Sequence, residues 1–373
     1  MKKTIWIVAA VVILLGIAWW GNSKPNISTT GLIKVGVAES LTGVAAYYGE
    51  ENRKGVEVAL DEISKKYQDL NFEVYHEDSL YTAKGGVDAY QNMKNRHGLD
   101  AVITHASAVS LAIQPLAKQD GILQMAVSSS AKTYSSPDDL SFRMSPTSDA
   151  EAQVMADFIK SRNYKRLGLI YMNNDFGVSV ISSLENELRD NPNVEVIGKE
   201  GFVLEATDFR TILAKLRTSN PDSIFVVATA SHLNNLLRQA KELGITPQFL
   251  GPRSTEDPIL LKNSKDVAEG FIYTYGFDAN NTTSETRRFV EAYRTAYNSL
   301  PDGYAAEGYE GMMLVAASFD KCGKDYGCIQ SYLSGLRNYP SIFGRLSFDR
   351  NGDVSYPFYL KTVRSGQFMK FEQ

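Results

Sequence analysis

Cysteine is almost missing from this chain: of 373 residues only Cys322 and Cys328 carry a thiol, and they flank the short segment Gly-Lys-Asp-Tyr-Gly. A disulfide-rich scaffold is excluded. A zinc site would need two further ligands, and His76, His97, His105 and His232 are scattered without metal spacing. No Gly-x-Ser-x-Gly elbow, Gly-x-x-x-x-Gly-Lys-Ser/Thr phosphate loop or His-Glu-x-x-His helix occurs, so no cofactor is expected and an enzyme is not the reading. The acid pairs Asp138-Asp139 and Glu50-Glu51 are neighbours in a turn or helix start, where carboxylates are usually solvated. Basic tracts are lacking as well. The net charge is -4 and the lysines are dispersed, so nucleic acid is not an expected partner.

Long apolar runs are lacking with one exception. Met1-Lys-Lys precedes a nearly unbroken apolar run from Ile5 to Trp20, and residues 21–31 are polar with a proline. The run is an export signal or a membrane anchor. Ala18-Trp-Trp-Gly has no small-x-small pair for a signal peptidase and no cysteine for a lipid, which favours an uncleaved anchor through residues 5–20 with a tether up to 31. About 16 helical residues span ~24 Å, slightly short of a ~30 Å hydrocarbon core, so Trp19 and Trp20 would sit at the outer interface. Lys2 and Lys3 stay cytoplasmic, and the rest of the chain faces outward. At about 340 residues that part is too long for one ordinary core and suits two lobes.

The most organised stretch is Leu32 to Lys66. Ile33, Val35 and Val37 alternate, Glu39 to Gly49 is a polar loop containing glycine, and Val56, Ala59, Leu60 and Ile63 recur at helical spacing. Strand, loop and helix in that order place the loop at the carboxyl end of a strand, where open α/β sheets take their ligands. The same alternation follows at Phe72–His76, 83–96, 100–104, 111–119 and 122–127. It resumes after Ser145-Pro-Thr with 152–159, 167–171, 180–188, 194–201, 209–216, 223–228 and 233–243. Parallel sheets covered on both faces are the expectation.

Ile33-Lys-Val-Gly-Val, the Leu41-Thr-Gly turn, Tyr48-Gly49, Gly55 and Ala59-Leu-Asp-Glu-Ile together resemble the opening of the leucine/isoleucine/valine-binding protein family, type I periplasmic receptors for ABC importers. The resemblance implies an α/β fold of two doubly wound, Rossmann-like lobes joined by a three-segment hinge. Lobe 1 would be 32–145 plus 277–343, and lobe 2 would be 146–276 plus 344–373. It further implies a Cys322–Cys328 disulfide, an extracytoplasmic location, a small-molecule ligand (amino acid or small carboxylate) and an ABC permease as partner. The chain ends at Gln373 without a following span, so a membrane-anchored sensor, the other reading, would need a separate signalling partner.

The resemblance also places ligand contacts. Tyr48 either packs the helix start or touches the ligand. Ser107, with the Ala108 amide beside it, matches a loop that holds a carboxylate at a helix start, and the plain alternative is a helix cap. Ser130, Ala131, Lys132 and Thr133 match the ammonium-binding loop. Lys132 falls where a threonine is expected, so either Thr133 takes that role, Lys132 turns to solvent, or Lys132 serves an acidic ligand. Phe176 replaces a pocket tyrosine, and Thr229 and Ala230 end the next cleft strand. Arg253 falls where the family carries an ammonium-pairing acid, unless a loop shift brings in Glu256 or Asp257. Arg253 could equally pair with an acid such as Glu256. Two cations at ammonium contacts point to a small carboxylate clasped by Ser107, Lys132 and Arg253 and packed on Tyr48, Phe176 and Tyr309.

Overall fold

The computed structural model describes residues 31–372. The apolar alternation of the opening segment becomes β1 (Leu32–Glu39), with Ile33, Val35 and Val37 buried. The polar loop leads into α1 (Ala46–Lys66), which turns Val56, Ala59 and Ile63 inward. The chain continues through β2 (Asn71–Asp78), α2 (Ala83–His97), β3 (Ala101–His105), α3 (Ser107–Asp120), β4 (Leu123–Val127) and β5 (Ser141–Arg143). These strands form a five-stranded sheet, β2-β1-β3-β4-β5, with every pair parallel. β3 and β4 are buried along their whole length, as strands covered on both faces must be.

The pattern then repeats as α4 (Ser148–Ser161), β6 (Arg166–Met172), α5 (Asp175–Leu188), β7 (Glu195–Phe202), α6 (Arg210–Thr218), β8 (Ser223–Val227), α7 (Ala230–Glu242), β9 (Gln248–Gly251), α8 (Pro258–Ala268) and β10 (Ile272–Tyr275). Three helices follow, α9 (Ser284–Tyr297), α10 (Gly303–Cys322) and α11 (Tyr326–Ser334). The short strands β11 (Tyr339–Ser341), β12 (Gly344–Phe348) and β13 (Val354–Ser355) precede β14 (Tyr359–Arg364) and β15 (Gln367–Lys370). The second sheet runs β15-β14-β10-β9-β8-β6-β7, antiparallel only where β14 and β15 join. In each sheet the winding reverses beside the first strand, between β1 and β3 and between β6 and β8. This is where an open α/β sheet leaves a crevice at its carboxyl edge.

Helix α8 had no counterpart in the sequence pattern, because Ser264 leaves helical geometry inside it (φ -145°, ψ 25°) and interrupts the periodicity. The sequence reading also started the return to the second lobe at residue 344. Instead, β12 and β13 form a small sheet with β11. That sheet lies beside β5, where Asp353 bridges to Arg143 and Phe348 packs edge-on against Phe142 at 5.4 Å. The chain rejoins the second sheet only at Tyr359, through β14 pairing with β10.

Helix α10 is buried along nearly its full length and crosses α1 at backbone contact. A Cβ on Gly55 would lie 2.0 Å from the Ala305 carbonyl oxygen, and one on Gly308 would lie 2.3 Å from that of Asn52. Only glycine permits this approach, which sets the first two turns of α10 beside residues 52–55 of α1. Cys322 and Cys328 are disulfide-bonded across the corner of α10 and α11, with Cα atoms 5.6 Å apart. The anchor and tether expected over 1–31 fall, apart from residue 31, outside the described residues. Among the described residues, no helix is long and apolar enough to cross a membrane.

Candidate functional site

The carboxyl edges of the two sheets face each other and enclose a narrow chamber lined by Tyr48, Tyr81, His105, Ala106, Ser128, Phe176, Arg253, Ser254 and Tyr304. Each comes from the end of a strand, the first turn of a helix or, for Ala106 and Tyr81, the loop between the two. Tyr48 opens α1, His105 closes β3, Ser128 follows β4, Phe176 opens α5, Arg253 and Ser254 follow β9, and Tyr304 opens α10. Wider grooves also open, one lined by Pro146, Arg337 and Asp349, and another that brings Tyr47 and Asp302 beside Glu256, Tyr275 and Lys361.

Tyr48 joins the two sides. Its hydroxyl donates to the Ser254 carbonyl at 2.9 Å and accepts from the Ala230 amide at 2.8 Å. Its ring lies 4.7 Å from that of Tyr304. Burial pushes the Tyr48 phenol well above its usual range, so it remains a neutral donor. The Ala230 amide is an otherwise orphaned group at the start of α7, and Tyr48 satisfies it. Ser254 in turn donates from Oγ to the Ala228 carbonyl at 2.8 Å.

Arg253 is the charged member of the lining. Its Nη2 donates to Ser145 Oγ at 2.9 Å, its Nη1 donates to Glu307, and its Nε lies 3.3 Å from Glu151. Glu307 also accepts from the Ser128 amide (2.5 Å) and Oγ (3.2 Å), from Ser145 Oγ (2.8 Å) and from the Tyr356 hydroxyl (2.9 Å). Burial alone would lower the Arg253 pKa, but Glu307 and Glu151 together raise it above the normal value, so it stays cationic. Burial pushes Glu151 up to about 7 against the pull of Arg253. His105 holds Ser40 Oγ at 3.1 Å through Nδ1; burial, assisted by Arg253, lowers its pKa to about 3, so the imidazole is uncharged. A buried ion pair of this kind holds its geometry because each charge has several partners.

The residues named from sequence divide. Tyr48, Phe176 and Arg253 line the chamber. Ser107 begins α3 and accepts the Ala131 amide at 3.3 Å, after Ala106 takes a left-handed backbone (φ 77°). Ala108 is half-buried in the same turn. Ser130 and Ala131 are buried behind the lining; Ser130 Oγ has no partner and the Ala131 carbonyl accepts from Arg143 at 2.7 Å. Thr229 turns into α7 to bond His232 Nδ1 at 2.8 Å, and Ala230 reaches the site only through its amide.

Other placements require correction. Lys132 is outside, 48% exposed and paired with Asp149 at 2.8 Å, and Thr133 is exposed. Glu256 does not pair with Arg253: it faces Lys361 (2.7 Å) and the Tyr273 hydroxyl (2.5 Å), while Asp257 caps α8 through the Ile259 amide at 2.7 Å. Tyr309 is no wall residue; its hydroxyl donates to Glu62 at 2.5 Å in the packing of α1 against α10. The wall tyrosine is Tyr304, five positions earlier. At 3.6 residues per turn five positions rotate a side chain by about 140°, so the two tyrosines point to different faces.

Sequence reasoning missed Tyr81, His105, Ser128, Ser254, Tyr304 and the acids behind Arg253. Leu80 and Tyr81 both adopt positive φ (54° and 60°), which no propensity anticipates for such residues. Tyr304 had a usable signal in Asp302, which caps α10 by accepting from the Tyr304 and Ala305 amides at 2.9 Å each and so fixes the helix start.

Two linked open sheets with a chamber between their carboxyl edges make a recognisable architecture, and comparison with known proteins decides the assignment: the model of the periplasmic binding protein family matches residues 32–367. The chain belongs to the periplasmic binding protein family. Among relatives, the leucine-, isoleucine-, valine-, threonine- and alanine-binding protein of Pseudomonas aeruginosa is 24% identical over 332 residues, covering 86% of this chain and 87% of its own. A leucine binding protein of Thermotoga maritima superposes with a TM-score of 0.84 at 22% identity, over 91% of this chain and 98% of its own. An ABC-transporter solute binding protein of R. palustris, solved with benzoate, superposes with a TM-score of 0.83 at 17% identity, over 91% and 96%. An open α/β sheet takes its ligands at its carboxyl edge, and the chamber lies at that edge of both sheets.

Proposed function

We propose that this periplasmic binding protein is an extracytoplasmic receptor that captures a small polar solute, a branched-chain amino acid, an amide or a related small carboxylate, between two lobes and delivers it to an ABC importer. The observation that carries this reading is the chamber sealed by Tyr48, whose hydrogen bonds to Ser254 and Ala230 tie the first turn of α1 to the ends of β8 and β9. Bonds across a cleft of this kind exist only when the two sides are together, which is how a hinged receptor commits to its solute. The solute is bound and released unaltered. The connections near 145, 276 and 356 act as the hinge, and residues 5–20 tether the molecule to the cytoplasmic membrane.

The names of the relatives support the solute class. Native mass spectrometry of the protein purified without denaturation, followed by calorimetry with the solute identified, tests the reading. A stoichiometric small molecule returned intact is expected; chemical conversion of that molecule, or the absence of any binding across a broad metabolite panel, overturns it.

A further inference from the structure

We propose that the solute is a small carboxylate without an ammonium group, held by Arg253 with its apolar body against Tyr81, Phe176 and Tyr304. This rests on the reading of the cleft as a solute site and narrows it. The lining contains one guanidinium, an uncharged imidazole, three phenols and no carboxylate. An ammonium needs up to three acceptors, and the carbonyls of Ser254 and Ala228 are already engaged. Tyr48 takes the Ser254 carbonyl at 2.9 Å, and Ser254 takes that of Ala228 at 2.8 Å. Both acids that could answer an ammonium from the β9 loop are turned away, Glu256 to Lys361 and Asp257 to the start of α8.

Arg253 retains donors for an anion. A guanidinium has five N–H groups in a fork that matches a carboxylate; Glu307 and Ser145 take one each and Nε faces Glu151. The remaining Nη hydrogens are left for a carboxylate in the chamber. Glu307 and Glu151 offset part of the guanidinium charge, and that of Glu307 is also shared among Ser128, Ser145 and Tyr356. Lys132, out on the rim with Asp149, contributes nothing inside. The flat aromatic walls suit a compact, weakly hydrated body.

Matched pairs of probes test the proposal: 4-methylpentanoate against leucine and 3-phenylpropanoate against phenylalanine, with benzoate as the smallest aromatic acid, each by calorimetry on the wild-type protein. At least one acid is expected to bind tenfold or more tightly than its amino counterpart. Amino acids that bind as well as or better than the acids overturn the inference and leave the solute-receptor reading standing. If a metabolite without a carboxylate is the one that closes the cleft by scattering, the inference fails alone; if nothing closes it, both fail. Because Arg253→Gln alone strands Glu307, the paired variant R253Q/E307Q is the second arm. It is expected to keep a cooperative melt and to lose acid binding at least a hundredfold, and undiminished acid binding in that folded variant also overturns the inference.

Discussion

Lys132 and Arg253 occupy matching stations in the two halves of the molecule, each in the loop after the fourth strand of its sheet, and the fold sends them in opposite directions. Lys132 lies on the rim, 48% exposed, with Asp149 as its partner; the Arg253 side chain is 8% exposed, with Glu307, Ser145 and Glu151 around it. Similar side chains at equivalent positions therefore have unequal consequences. A rim pair gains little, because water screens both charges and two long side chains must be ordered to form it. An enclosed pair contributes little net stability over an apolar pair of the same shape, yet removing one member leaves a charge without solvent or partner.

The largest effect should come from separating the inner pair. Glu307→Ala is expected to destabilise the protein by about 3–5 kcal/mol in urea unfolding; a loss below about 1 kcal/mol would place Arg253 in solvent like Lys132 and erase the contrast. Glu310 offers a third case, a buried acid without a salt bridge among the described residues. Glu310 accepts the Ile342 amide at 3.1 Å, and burial pushes it up to about 7 from the ordinary 4.5. Its folded pKa is raised, so its favourable contribution is complete below pH 4.5 and is lost as pH rises through 7. The stability of the wild type relative to Glu310→Gln should thus fall by roughly 3 kcal/mol between pH 4.5 and pH 8. A difference that stays flat with pH would show the carboxyl to be solvated.

Tyr48→Phe removes the two hydrogen bonds across the cleft, at about 0.5–1.5 kcal/mol each. Solute affinity is expected to weaken about tenfold by calorimetry with little change in the melting temperature of the empty protein; unchanged affinity would mean that Tyr48 does not bind the halves together on closure. Lys132→Met is the smallest change, at roughly 0.2–1 kcal/mol, and should vanish in 1 M salt. A larger, salt-resistant loss would move Lys132 into the site.

The doubly wound halves were legible because each strand and helix carries its own periodic signature, as in Ile33, Val35 and Val37 followed by Val56, Ala59 and Ile63. The disulfide was legible from the resemblance together with the absence of any other cysteine. At the site, Tyr48, Phe176 and Arg253 were found because each occupies a fixed place at a strand end or helix start. What stayed hidden was direction. Lys132 and Arg253 differ through their partners, Asp149 and Glu307, which lie far from them in sequence, and Tyr304 was missed for Tyr309 because a tyrosine's face depends on where α10 begins. Tyr81 was hidden by a backbone in the left-handed region.

Small-angle scattering of the wild-type protein titrated with a panel of monocarboxylates and amino acids tests the central claim most directly. A carboxylate is expected to lower the radius of gyration, and Tyr48→Phe to need a higher concentration for the same change. Profiles that stay superimposable across the whole panel would contradict it.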